Sequence, residues 1–430
     1  MDSLTQIILG AAVGEATLGR KVGNRAMLWG AIAGTVPDLD VIIANLFMDD
    51  LNGLAFHRAI THSIFFAVTF SFLLAFFTNW LYKNGHHKQV WFKVLSFISG
   101  VLFMTLVGTI LLFINKTLAG TTGFIIGILI VGSLFSFLVY RLFKRYYKIN
   151  QEVIEIGWKN WYWLFFWSIF THPILDSFTT YGTQLFAPFS DYRVAFNVIS
   201  VADPLYTFPF MVCLLTASFL GRKFASTTAL EKIDFSFRLS NQDYRLRRIF
   251  NWTGIIISSI YMLWAVSNKY KVNEVMESTL KSENISYNRY MTNPTILNNI
   301  LWSATAETDS FYYAGLYSFN DMEKRFKLSK IEKNHSLVSD YQGGEVLETL
   351  KWFSNDYYSI LRRKDGRLQF NDMRYGTFRG EANGEDDYIF KFILEEQEDG
   401  TIKMNEAEGG PPRGRESSMF TDLWQRLSGI

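Results

Sequence analysis

Residues Trp158–Phe178 read WKNWYWLFFWSIFTHPILDSF. The run is aromatic, apolar and long enough to cross a bilayer as a helix, yet it ends in His172 and Asp176. Side chains four apart share a helix face, so this pair can address one ion, or the acid can hold the imidazole in one tautomer. Pro173 between them kinks the helix or marks a local start. An apolar run with ionisable residues near one end predicts a membrane-embedded helix that carries part of a polar site.

Similar runs extend to either side. His62–Tyr82, Val90–Phe113, Thr121–Phe143 and Ser200–Leu220 are candidate spans, and Ile249–Val266 is a shorter one. Two weaker candidates come first, Leu4–Leu18 and Ala26–Val36 continuing toward Ile43. Gly10 and Gly14 in the first, and Gly30 and Gly34 in the second, have the four-residue spacing that lets helix backbones approach closely. These two are expected to form a tight pair, which gives eight spans. The start, Met1-Asp2-Ser3-Leu4-Thr5-Gln6, lacks the basic n-region of a secretory signal, so the first run is expected to belong to the mature protein.

Composition agrees with a membrane protein that carries an appended soluble part. The chain has 430 residues, is 49% hydrophobic and is rich in Phe, Tyr and Trp, too apolar for an ordinary soluble domain of that length. A net charge of +2 gives no sign of a nucleic-acid partner. Cys213 is the single cysteine, which excludes an intrachain disulfide and a Cys-rich zinc site.

Lys and Arg in the loops set the orientation. With Arg20–Arg25 inside, loops on that side carry sixteen basic residues and the opposite loops carry three, Arg58, Lys116 and Arg193. Both termini then lie outside. The ends of the second, third and sixth spans reach the same outer face. They bring Asp38 and Asp40, His57, Arg58 and His62, and His172 and Asp176 to one side. Gln6 opens the first span at that face and Asp203 begins the seventh.

Three His and three Asp at one face suit one or two divalent metals, with zinc, manganese and iron all compatible with N and O ligands. Such an ion would acidify water and polarise an ester or phosphoryl oxygen. Pro37-Asp38-Leu39-Asp40 would present both acids alike if extended. His57 and His62 are five apart, so a turn must separate them. Thr61 could cap a helix starting at His62, and Arg58 could neutralise an anionic group such as phosphate. The stretch Thr179-Thr180-Tyr181-Gly182-Thr183-Gln184 could line a substrate cleft, with Asp191, Arg193, Asn197 and Asp203 as further polar candidates. Glu15, inside the first span, suits a structural pairing. The bland reading of each motif alone, an interfacial belt of polar side chains, stands beside the metal reading. Their convergence favours the metal. His86, His87 and His335 lie elsewhere and suit surface positions.

Beyond Ser267 no span appears. Phe311–Phe319, Arg325–Ile331, Tyr357–Leu361 and Tyr388–Leu394 read as strands, Lys364-Asp365-Gly366 and Glu398-Asp399-Gly400 as turns, and Asn293–Ser303 as a helix. Glu381–Glu408 and the run Gly409-Gly410-Pro411-Pro412 suit solvated surface and loop. The expected architecture is an α-helical integral membrane domain over 1–266, with about eight spans, and a soluble extracytoplasmic α+β domain over 267–430.

Asp2-Ser3-Leu4-Thr5, Pro37-Asp38-Leu39-Asp40, His57-Arg58 with Thr61-His62-Ser63, Thr171-His172-Pro173 with Asp176, Thr180-Tyr181-Gly182-Thr183, and Asp203-Pro204-Leu205-Tyr206 also carry a resemblance. In that order they resemble the YdjM-like membrane-bound metal-dependent hydrolases, over roughly residues 1–266. That family is distantly similar to zinc-dependent phospholipase C. The resemblance implies a hydrolase of the inner membrane with a divalent metal, zinc first, and His57, His62, His172, Asp176, Asp38 and Asp40 as ligands or their immediate supports. On the metal reading itself, Asp38 or Asp176 is the base where not a ligand, and Arg58 steadies negative charge in the transition state. Relatives often carry His where this chain has Gln6, and an amide is a much weaker ligand. Gln6, Thr61, Thr180, Gln184 and Asp203 are then outer supports. The expected substrate is an ester or phosphoester of a lipid or a lipid-linked molecule, with membrane lipid as the partner. A transporter, or a non-catalytic anchor for the C-terminal domain, is the alternative.

Overall fold

The computed structural model describes residues 1–102, 105, 127–128, 132–133, 135–137, 139–140, 156–227, 241–341, 344–409 and 416–429. The chain divides into two compact units, Met1–Ser71 with Trp163–Ile430, and Phe72–Tyr162.

The first helix, α1 (Ser3–Val22), starts where the Asp2 carboxylate accepts the Thr5 N–H at 3.0 Å, an N-cap that satisfies an otherwise orphaned donor. It stops at Gly23, whose φ of 61° needs a residue without Cβ. α2 (Asn24–Thr35) follows at once. The expected tight pair is present. A Cβ on Gly10 would fall on the Gly30 carbonyl oxygen, and one on Gly14 on the Ala26 carbonyl oxygen. α7 (Trp158–Ser177) and α9 (Asn241–Ser282) also bind α1. Ser168 Oγ donates to the Gly10 carbonyl at 3.3 Å, and Asn251 Nδ2 to the Ala12 carbonyl at 3.0 Å. Glu15 is matched by Arg247 of α9, and Arg247 also donates to Asn24.

α3 (Leu39–Phe47) and α4 (Asp50–Phe56) lead to a 3-10 turn at Ile60–His62 and then to α5 (Ile64–Lys83). The cap of α5 is Ser63, whose Oγ accepts the Phe66 N–H at 3.0 Å, so Thr61 is not the cap and the helix does not open at His62. α6 covers Val90–Leu102, α7 Trp158–Ser177, α8 Pro204–Thr227 and α9 Asn241–Ser282. Within Phe72–Tyr162, Phe76 stacks on Trp158 and Tyr82 on Trp161.

A count of eight spans is not supported. Among the described residues three helices are long and apolar enough, Asn24–Phe47, Ile64–Lys83 and Tyr244–Ser282, with Val90–Leu102 and Pro204–Leu220 apolar but shorter. The Leu4–Leu18 and Trp158–Phe178 runs are helical, but Gln6 and Glu15 in one, and Lys159, Asn160, His172 and Asp176 in the other, lower their hydropathy. Most of Thr121–Phe143, the second half of Val90–Phe113, part of the basic loop Gly221–Phe250 and most of the Gly409–Pro412 run lie outside the described residues.

α9 has 42 residues, about 63 Å at 1.5 Å per residue, twice the hydrocarbon thickness. It crosses position 266/267 without a break. Its last turns carry Val272, Met276 and Leu280 on one stripe, packed on Trp302, Ala304 and Tyr317. That stripe seeds the C-terminal part, which holds two four-stranded antiparallel sheets. The first contains β1 (Arg289–Pro294), β2 (Leu301–Glu307), β3 (Phe311–Ser318) and β4 (Lys327–Glu332). The second contains β5 (Tyr358–Arg362), β6 (Leu368–Asp372), β7 (Phe390–Glu396) and β8 (Ile402–Gly409). α10 (Glu345–Ser354) precedes the second sheet and α11 (Glu416–Leu427) follows it. The expected Asn293–Ser303 helix is instead the end of β1, a turn and the start of β2. The β-branched and aromatic residues around it win by pairing across strands. The acidic stretch expected as surface holds β7 and β8, because its apolar residues alternate toward the core.

The C-terminal part also packs on loops of the N-terminal helical region, the second sheet through its core and the first through its β1–β2 turn. Leu54 of α4 is part of its core with Leu350, Phe353 and Met404, and Leu51 and Tyr181 border it. Asn299 Nδ2 donates to the Val198 carbonyl at 2.8 Å, and the Leu297 N–H to the Ala202 carbonyl at 3.1 Å.

Candidate metal centre

Four residues from three separated stretches meet. Asp38, His62, His172 and Asp176 each offer one ligand atom, all within 4.8 Å of one another. Asp38 sits in the turn between α2 and α3, His62 in the 3-10 turn before α5, and His172 and Asp176 in the last turns of α7.

The distances have the form of a coordination shell. The two Nε2 atoms of His62 and His172 lie 3.1 Å apart. Asp38 Oδ1 is 3.5 Å from His62 Nε2 and 3.3 Å from His172 Nε2. Asp176 Oδ2 is 3.4 Å from each ring nitrogen. Ligand atoms about 2.0–2.1 Å from a tetrahedral ion are separated by about 3.3–3.4 Å.

The protons point elsewhere. His172 Nδ1 is 2.6 Å from the Gly34 carbonyl oxygen, which can only accept. His62 Nδ1 is 3.2 Å from Asp40 Oδ2. In the neutral tautomer with the proton on Nδ1, which these contacts favour for each ring, both Nε2 atoms carry lone pairs toward the centre. Two lone pairs and two carboxylate oxygens then converge with no hydrogen between them. Asp176 Oδ2 is buried without a hydrogen-bond partner, although the Arg58 guanidinium lies 3.3 Å away. Buried acceptors left this way are costly. A divalent cation is the group that this donor set fits.

Asp40 and His57 stand behind that shell. Asp40 Oδ1 meets His57 Nδ1 at 3.0 Å, and Oδ2 accepts from Thr61 Oγ1 at 2.9 Å and from the Arg58 N–H at 3.1 Å. An acid on the far nitrogen of a ligating imidazole fixes its orientation. Asp38 and Asp40 do not present alike, because the chain after Pro37 turns into α3 rather than running extended. Burial pushes the His57 imidazole below its usual value against the opposing pull of Asp40, which keeps the ring neutral at neutral pH. His57 retains 23% side-chain exposure, and its ring packs on His62 and Tyr181.

Arg58 has a left-handed backbone, φ 61°, rare without glycine. The bend lets its N–H reach Asp40 while its carbonyl accepts the Gln184 N–H at 3.0 Å. Its side chain donates to Thr179 Oγ1 at 3.0 Å. Gln6 Nε2 donates to Asp176 Oδ1 at 2.9 Å and to the His172 carbonyl at 3.3 Å. The Met1 amine also binds Asp176 Oδ1. The Gln184 side chain reaches the Ala55 carbonyl at 3.4 Å, and Thr180 is buried in the loop after α7. Asp203 stands apart from the four. It caps α8 through the Leu205 and Tyr206 N–H groups and accepts from Tyr261 at 2.8 Å. Asp191 is exposed.

Sequence reasoning gave Gly34 and Ser3 no role at the centre itself. Ser3 Oγ donates to Asp38 Oδ2 at 3.2 Å, and a backbone carbonyl such as that of Gly34 leaves no trace in the sequence.

A family model described as YdjM inner membrane protein matches residues 1–114 and 120–272. No curated protein and no solved structure matches.

Proposed function

We propose that this chain, which belongs to the YdjM inner membrane protein family, is a membrane-bound metal-dependent hydrolase acting on an ester or phosphoester of a lipid or lipid-linked substrate. The observation that carries the reading is the set of four convergent acceptors on Asp38, His62, His172 and Asp176. These residues would hold a divalent cation, with zinc the first choice and manganese or iron open. Such an ion acidifies water and polarises the bond to be cleaved.

The chain's own residues divide the remaining work. Asp40 and the Gly34 carbonyl lock the two imidazoles with Nε2 inward. Gln6 holds Asp176 from behind. Where it is not itself a ligand, Asp38 is the better placed base. One oxygen faces the centre, the other is held only by the Ser3 hydroxyl, and the side chain keeps 16% exposure. Asp176 is fully buried, with Oδ1 held by Gln6 and the Met1 amine and Oδ2 beside the Arg58 guanidinium at 3.3 Å. Arg58 lies where it can steady negative charge that develops during cleavage.

A lipid-borne substrate is supported by a shallow, open depression of about 530 Å³ lined by Phe47, Met48, Asp49, Asn52, Ala55, Phe56 and Ala59. It opens where the apolar helix Asn24–Phe47 ends, one residue from Arg58. We take the centre and the C-terminal domain to face the extracytoplasmic side, the orientation that the Lys and Arg bias between the apolar runs favours.

The test uses purified protein in nanodiscs of phosphatidylglycerol and phosphatidylethanolamine, with released headgroups and fatty acids read by mass spectrometry. Product is expected with added zinc or manganese, suppressed by chelator and absent in Asp38→Asn and His172→Ala. Equal product from wild type and His172→Ala would overturn the reading.

A further inference from the structure

A second cationic group stands beside the centre and has no acid to match it. Arg58 is matched by Asp176, and Arg374 by Asp372 at 2.6 Å. Among the described residues no carboxylate lies within ion-pair distance of Arg193. Its Nε donates to the Tyr181 carbonyl at 3.3 Å and its Nη2 to the Gly182 carbonyl at 3.5 Å. Its Nη1 is buried with no hydrogen-bond partner. Burial, with the neighbouring charges of Arg374 and Arg58, lowers the guanidinium to about 10, so it stays charged at neutral pH.

Aromatic rings hold the fork in place. The Arg193 guanidinium carbon is 4.7 Å from the centre of Tyr181, 5.3 Å from Trp352 and 5.2 Å from Phe353. Arg58 lies against the same Tyr181 ring at 4.9 Å, so the unmatched cation and the metal centre share a wall. Arg374 contacts Phe353 at 4.8 Å. Cation–π contact compensates part of the desolvation, but it leaves a planar donor edge without an acceptor. A phosphate or a similar oxyanion fits such an edge through paired N–H···O bonds.

We infer that Arg193 binds an oxyanion of the phosphate class carried by the substrate, with Trp352 and Phe353 of the C-terminal domain positioning its guanidinium. The inference rests on the hydrolase reading and names the substrate class of that same centre. It also gives the C-terminal domain a part in substrate binding.

The experiment is calorimetric titration of the full chain in neutral detergent with inorganic phosphate. It compares wild type, Arg193→Gln, Arg193→Lys and His172→Ala, with the metal content of each measured alongside. Phosphate is expected to bind wild type and His172→Ala, to bind Arg193→Gln at least tenfold more weakly, and to bind Arg193→Lys in between. The metal content of both Arg193 variants is expected to equal that of wild type. Nanodiscs of phosphatidylcholine with and without phosphatidic acid separate the two sources. Displacement of phosphate by phosphatidic acid identifies a lipid headgroup, and its absence identifies a water-soluble phosphate. Three results would overturn the inference: no binding to wild type, wild-type affinity in Arg193→Gln, or affinity lost in His172→Ala but kept in Arg193→Gln. A wild-type protein without metal that still binds phosphate through Arg193 would remove the hydrolase reading and leave the oxyanion site.

Discussion

The Nε2 atoms of His62 and His172 face each other 3.1 Å apart, and each ring has its other nitrogen beside an oxygen acceptor. Two acceptors at that distance repel unless a cation lies between them. A bound cation would relieve that repulsion, and the contacts made by Asp40, the Gly34 carbonyl and Gln6 hold the surrounding side chains in place.

Asp40 is therefore expected to tune metal affinity without being required for it. Asp40→Ala should weaken binding by about 10- to 100-fold, while His62→Ala abolishes it. Competition with a chromophoric chelator measures both. An Asp40→Ala protein as tight as wild type would place His62 under some other control.

The glycine pairing of α1 and α2 gives a stability prediction. Gly10→Ala or Gly30→Ala puts a methyl group on the opposite helix's backbone, and overpacking of this kind costs about 1–3 kcal/mol. Gly53→Ala meets only the Ala44 methyl at 3.5 Å and should be neutral. Thermal unfolding in detergent distinguishes them.

Glu15 and Arg247 form an ion pair with side chains 2% and 1% exposed. Removing one partner strands the other, at a cost of about 3–5 kcal/mol. Glu15→Ala should be strongly destabilised, and the double change Glu15→Met with Arg247→Met should recover most of the loss. A double variant as unstable as the single would show that the pair does more than neutralise itself.

Acid sensitivity of the C-terminal sheets should trace to Glu307. Burial pushes its carboxyl up, but hydrogen bonds from Lys333 and Arg289 outweigh burial and hold it below the usual range. A depressed folded-state value gives stability that is present above the unfolded value of about 4.3. That stability is lost as pH falls from there through the folded value. Glu307→Gln should flatten the unfolding profile below about pH 4.3 and lower stability at neutral pH. An unchanged acid limb would exclude this residue as the cause.

Much of the centre was legible because its residues are few and the apolar runs between them are long. His172 and Asp176 declare a shared face by spacing alone, and the Gly10/Gly14 and Gly30/Gly34 spacing identifies a close helix pair. What was not legible depends on local backbone. Nothing in Pro37-Asp38-Leu39-Asp40 says that the chain turns into a helix at Leu39, so the different duties of the two acids could not be read. The same holds for Thr61, which serves Asp40 instead of a helix end because Ser63 does the capping. Reading apolar runs by length gave eight spans, which is not supported because α1 and α7 carry polar residues among the apolar ones and Val90–Leu102 and Pro204–Leu220 are short. It missed the partnership of Arg193 with Trp352 and Phe353, since residues far apart in sequence meet there only through the packing of α10 against the loop after α7.

The central claim is that Asp38, His62, His172 and Asp176 hold one divalent cation. Elemental analysis of purified wild type and His172→Ala, each loaded with zinc or manganese and then desalted, tests it most directly. About one tightly held ion per chain is expected in wild type and almost none in His172→Ala. Equal and negligible metal in the two proteins would contradict the account.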